Sequence, residues 1–200
     1  MPRKKNRGYK QGEPFRDSRL IVIATEGAKR EKEYFELLVY GNQKVKIKIL
    51  APVDEEEGKS APKWVMDRAL NYVETFGLSK DDQLWLVIDV DKWALSQVHE
   101  IAKECSNIKN WNIAISNPCF EVWLLLHYKE LVKANQRTCS HLKTELGNIV
   151  SGGYNLNFAI AQINIAIQRA KDSDSNKGHY FPNPMETKIY LLAEELTTML

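Results

Sequence analysis

The chain predicts an α/β fold, a mostly parallel sheet flanked by helices, with a helical C-terminal elaboration. Three observations carry that prediction. Short β-branched apolar runs alternate with segments of helical spacing in a β-α-β-α-β-α-β order. Beyond Pro118 only helical patterns follow. The length of 200 residues, with 44% hydrophobic and 27% charged content, suits one core that needs no staples.

Residues 20–24 (LIVIA) read as a buried strand. Residues 28–40 place Tyr34, Phe35, Leu37 and Leu38 at helical spacing, and residues 44–50 alternate through Val45, Ile47 and Ile49 as a half-exposed strand. Pro52 and the acidic stretch 54–58 make a loop. Ser60 is placed to cap a helix with Pro62 in its first turn, running through Trp64, Val65, Ala69 and Val73 towards Phe76. Residues 84–88 (LWLVI) are the strongest strand, residues 94–105 a helix and 111–115 a further strand. The expected later helices are 120–128, 131–146, 156–171 and 185–199, interrupted by residues 151–153 (SGG) and the polar loop 171–184. The expected division is a basic flexible arm over 1–18, an α/β core over 19–130 and the helical elaboration over 131–200.

Composition excludes several classes. No apolar run approaches the roughly 18 residues of a membrane span. The basic N-terminus lacks the apolar segment of a secretory signal. The three cysteines (Cys105, Cys119, Cys139) are odd in number, widely spaced and without a CxxC pair, which argues against a zinc ribbon or a disulfide scaffold and for a reduced, cytoplasmic setting. The net charge of +2 hides an asymmetry, because residues 1–19 carry seven basic and two acidic side chains. A basic arm before an acidic body suits a nucleic-acid partner, and it equally suits a frayed, solvated terminus.

Acidic residues collect at the ends of the expected strands. Glu26 follows the first and Asp89 and Asp91 follow the third, and ligands of open α/β sheets bind outside the carboxyl ends of strands. Asp-x-Asp puts both carboxylates on one side. Converging carboxylates repel unless a cation neutralises them, and all-oxygen donors suit Mg²⁺ or Mn²⁺. The bland reading of such acids is helix capping or strand termination. Gly27 would permit a sharp turn and close approach of a phosphate. Lys29 and Arg30 are either phosphate contacts or simply exposed. Glu31 is either a helix-dipole partner or a residue facing the cluster.

The segment 113–127 is the second concentration. Asn117 is suited to cap the helix that Pro118 opens, and Glu121 to its first turn. The functional alternative makes Glu121 a fourth acid of the cluster. His127, on a strongly apolar helix, reads as a satisfied, partly buried histidine more than as a general base. It stays with Gly27, Lys29, Arg30 and Asn117 among the substrate-contact candidates. Walker A, GxGxxG, HExxH and GxSxG patterns are absent, which counts against the enzyme classes that use them.

Glu26-Gly27 with Glu31 and Tyr34-Phe35, then Asp89-x-Asp91, then SNPCFEVWLLLH ending at His127, then Asn183-Pro184-x-x-Thr187, together resemble the RloB family over nearly the whole chain. Two positions depart from the family pattern: Arg30, where threonine is usual, and Val90, where a basic or polar residue is common. The resemblance implies a Toprim-like core with Glu26 as its glutamate and Asp89 and Asp91 as its acidic pair. It implies a Mg²⁺-dependent (or Mn²⁺-dependent) nuclease of phage defence, with Glu26, Asp89, Asp91 and Glu121 catalytic and the first three on the metal. The implied partners are nucleic acid (DNA or RNA) and a co-encoded ATPase or defence protein, with a homo-oligomer among the allowed assemblies and no membrane. The competing expectation is a non-catalytic module that binds nucleic acid or a partner protein.

Overall fold

The computed structural model describes residues 19–40, 45–52, 61–90, 93–132, 137–149 and 154–198. The expected arm over 1–18, Asp91 and the capping Ser60 lie outside them. β1 (Arg19–Thr25) leads through α1 (Arg30–Leu38) to β2 (Val45–Leu50), which pairs parallel beside it. α2 (Pro62–Phe76) carries the chain back past β1 to β3 (Gln83–Asp89), and α3 (Leu95–Ser106) leads to β4 (Trp111–Asn117), again parallel. Then come α4 (Glu121–Leu126), α5 (Cys139–Ile149), α6 (Leu156–Ala161), α7 (Ile163–Ser173), β5 (Glu186–Thr187) and α8 (Ile189–Thr197). The sheet order is β2-β1-β3-β4-β5, with β5 antiparallel. The chain thus leaves β1 towards one edge and returns to build the other. That reversal lies between β1 and β3, where a crevice opens at the carboxyl ends of such sheets.

Side chains alternate across the strands and feed two layers. Ile21, Ile23, Trp85, Val87 and Ala114 face a core shared with α1, α4, α5, α7 and α8. Val22, Ala24, Leu84, Leu86, Ile88 and Ile115 face α2 and α3. Each of the buried Val, Leu and Ile side chains contributes about 1.5–3 kcal/mol on leaving water. The C-terminal helices share one continuous core with the sheet. Among the described residues no helix is long and apolar enough to cross a membrane.

Four local expectations are corrected. The region after Pro118 is not helical throughout, because Glu186 and Thr187 form β5 against Asn117 and Ser116. Met185 N–H donates to Asn117 O at 2.8 Å and Lys188 N–H to Ile115 O at 2.8 Å, so α8 starts at Ile189 rather than 185. The helix expected over 131–146 starts at Cys139, where Thr138 Oγ1 accepts from His141 N–H at 3.4 Å, a hydroxyl start signal. The helix expected over 156–171 breaks at Gln162, because α6 packs on α1 while α7 packs on α4 and α8. The cysteines also depart from expectation. Cys119 and Cys139 form a disulfide with Cα atoms 5.9 Å apart, and Cys105 is free and buried.

Candidate active site

The end of β1 delivers Glu26 into the crevice, with its N–H donating to Val87 O at 3.2 Å. Its carboxylate is buried and held by in-chain donors. Trp93 Nε1 donates to Oε1 at 2.8 Å, and Asp89 N–H donates to Oε2 at 3.1 Å. The turn that follows is tied by Thr25 Oγ1 donating to Gly27 O at 2.9 Å. Gly27 does not use a left-handed backbone. Its missing Cβ makes room for the Glu31 carboxylate, one oxygen of which would lie 2.0 Å from such a carbon. Gly27 N–H donates to Glu31 Oε1 at 3.2 Å. Gly27 thus lies in the expected turn without a left-handed backbone, and its missing side chain also accommodates a carboxylate.

Asp89 shares strand parity with Trp85 and Val87, so it belongs to the sheet face covered by α1 and α4. Glu31 from α1 and Glu121 from α4 approach it there, both buried. Burial, then the negative charges of Glu31, Glu26 and Glu121, push the Asp89 carboxyl well above its ordinary range, against the Phe120 N–H that stabilises the anion. Burial, with the charge of Glu121, likewise raises Glu31. Among the described ion pairs, a cation answers Glu121 directly. Arg30 Nη1 pairs with Glu121 Oε1 at 2.5 Å and its guanidinium lies 5.5 Å from the centroid of the Tyr154 ring. Arg30, expected on substrate phosphate, is thus committed to an acid. Lys29 stays exposed at the start of α1.

Two further expectations change. Asn117 does not cap α4, which starts after Phe120 without a side-chain cap. Asn117 ends β4, and its Nδ2 donates to Pro182 O at 3.1 Å. His127 is only 2% exposed, which removes it from any substrate contact. Its Nδ1 faces Trp123 O at 3.0 Å and so carries the proton, leaving Nε2 to accept from Tyr34 OH at 3.0 Å. Burial, against those carbonyls, lowers its pKa to about 4. This is a satisfied histidine, as its apolar helix implied, but fully rather than partly buried.

Trp93 and the pair Ser116–Thr187 were not singled out as site residues from the sequence. Trp93 orients Glu26, and its proximity to the Asp89–Asp91 segment was the available signal. Ser116 Oγ and Thr187 Oγ1 lie 2.8 Å apart beside the Asp89 register position, buried in the floor. Behind them Lys188, 1% exposed, is held by Asp174 Oδ2 at 2.5 Å and Asn176 O at 2.7 Å, and Tyr190 OH donates to the same carboxylate oxygen at 2.8 Å. This network anchors β5 rather than serving chemistry.

The arrangement therefore gathers Glu26, Glu31, Asp89 and Glu121 at the strand-order reversal, while Asn117 and His127 serve the scaffold. Among the described residues no three acids, histidines or cysteines are posed around a common metal position. Glu26 approaches from the side of Trp93, and Glu31 and Glu121 from the opposite face. No curated protein and no solved structure matches the chain. The RloB-like protein family matches it over residues 21–196, and the chain belongs to that family.

Proposed function

We propose that this chain is a metal-dependent nuclease of prokaryotic phage defence, abortive-infection or restriction-associated, cleaving phosphodiester bonds of DNA or RNA on a Toprim-like core in the cytoplasm. The observation that carries the reading is the raised Asp89 carboxyl amid three further carboxylates at the strand-order reversal. A structural site gains nothing from such crowding, and a phosphate approaching it uncompensated would be repelled. The donors are all carboxylate oxygen, the ligand type that Mg²⁺ and Mn²⁺ prefer. Glu26, Asp89 and Asp91 would hold the ion. When bound, it supplies polarisation of a phosphoryl oxygen and stabilisation of the leaving oxygen.

The chain's own groups do the rest. Trp93 and the Asp89 N–H orient Glu26, which either completes the ligand set or takes the proton of an attacking water. Arg30 holds Glu121, and Gly27 keeps Glu31 beside Asp89. One observation favours a different reading, a non-catalytic module that binds nucleic acid or a partner and controls a co-encoded toxin or ATPase. Glu26, Glu31 and Glu121 already turn oxygens towards in-chain donors.

The test is cleavage of labelled single- and double-stranded DNA and RNA across Mg²⁺ and Mn²⁺ titrations, with Asp89→Asn and Glu26→Gln beside wild type. Metal-dependent cutting that falls at least about a hundredfold in both variants is expected. Equal rates in all three proteins, with no metal-dependent heat in calorimetry, would hand the site to the binding module.

A further inference from the structure

A second concavity opens where β4 ends. A cleft of about 800 Å³ lies between Asn117–Pro118, the Pro184–Met185 turn and the start of α5. Asp89 and Ser116 are register partners on neighbouring strands, roughly 4.8 Å apart in the sheet. The cleft therefore begins one residue beyond the acid cluster's own floor. The wall at the start of α5 brings Arg137 and Lys143 together with the hydroxyls of Thr138 and Ser140, while the Thr144 hydroxyl donates to Ser140 O at 3.0 Å.

The local charge is positive. Glu145 is paired with both Lys129 and Arg137, so one carboxylate answers two cations. Lys143 is exposed and makes no ion pair among the described residues. Convergent cations and hydroxyl donors in a cleft are the chemistry that holds phosphate oxygens. The disulfide joins Cys139 of this wall to Cys119, two residues before Glu121. The cleft and the acidic site are therefore held in one covalent frame.

We propose that this cleft is a phosphate-binding subsite that holds the backbone of a nucleic-acid strand next to the acid cluster, through Lys143, Arg137 and the α5 hydroxyls. The proposal rests on the nucleic-acid reading of the acidic site and adds where the flanking strand lies. A strand held there supplies the attraction that the crowded carboxylates lack. Lys143 carries the larger share, because Arg137 is shared with Glu145.

Binding without cleavage separates this proposal from the nuclease reading. The probe is a labelled single-stranded oligonucleotide, DNA and RNA in turn, followed by anisotropy in EDTA over a salt series, with the full chain. Lys143→Gln is expected to weaken binding about fivefold at about 0.1 M salt and to reduce the salt slope by about 0.7. Adding Arg137→Gln deepens the loss, with circular dichroism checking the fold. Lys103→Gln, on the outer side of α3 at the opposite sheet face, leaves affinity unchanged, and Asp89→Asn binds as tightly as wild type or tighter. Equal affinities for Lys143→Gln and Lys103→Gln overturn the proposal. So does saturation of the cleft by inorganic phosphate or a mononucleotide with no gain from a strand, or Lys143-dependent binding of an acidic peptide in place of the oligonucleotide. Lys143-dependent binding without metal-dependent cutting supports the subsite and overturns the nuclease. Cutting with Lys143-independent binding does the reverse.

Discussion

Asp89 shows how one side chain at the candidate site can be costly to the fold. Its carboxyl is raised by burial and by Glu31, Glu26 and Glu121, so ionising it at neutral pH opposes folding. Asparagine in its place keeps the shape and an oxygen that can accept from Phe120 N–H. Asp89→Asn is therefore expected to be more stable than wild type by about 1–2 kcal/mol at neutral pH, read by urea denaturation. The gain should shrink on acidification, because protonation of Asp89 removes the same repulsion. An unchanged or lower midpoint would show that the carboxylates are not in conflict. His127 has the opposite sign. Its native pKa of about 4 lies below the ordinary 6.5, so the unfolded chain binds the extra proton between those values. Its contribution is complete above about pH 6.5 and is lost as pH falls towards 4, to the extent of about 3 kcal/mol. Histidine NMR should show the His127 ring still neutral at pH 5, and His127→Gln should flatten the acid limb of the stability profile. The packed role of His127 was legible in its apolar helix. Its hydrogen bond to Tyr34, 93 residues away, was not.

Among the elements, strands and early helices were readable because their signals are local. Continuous apolar runs mark β1 and β3, period-two alternation marks β2, and helical spacing marks α1 and α2. The C-terminal elements were readable only in part. β5 is two residues long, and its backbone is set by β4 rather than by any pattern of its own. α5 is shorter than its apolar stretch implied, starting at the Thr138 cap and the disulfide. That cross-link closes a segment of 20 residues and is expected to contribute about 3 kcal/mol. Oxidised protein in denaturant should titrate one thiol, Cys105, and reduced protein three. Reduction should lower Tm by roughly 6–12 °C for a chain of this size. Three titratable thiols in the oxidised, denatured protein would mean that the pair does not form.

For the molecule as a unit, sheet order decides where chemistry can sit. The order β2-β1-β3-β4-β5 puts the reversal between β1 and β3, and the acids at their carboxyl ends follow. The placement of Glu26 and Asp89 at the carboxyl ends of β1 and β3 was legible without coordinates, because the end of an apolar strand is a local feature. The fold class and family membership were identifiable on the same footing, from element order and from motifs spread along the chain. Other features depend on which strands become neighbours and on the rotation of helices against them. These are the placement of Glu31 under Gly27, the grip of Trp93 on Glu26, the neutralisation of Glu121 by Arg30, the pairing of Cys119 with Cys139 and the cationic cleft beside β4. Local periodicity records whether a residue faces inwards. It does not record what it meets there, because that is set by register and packing between segments tens of residues apart.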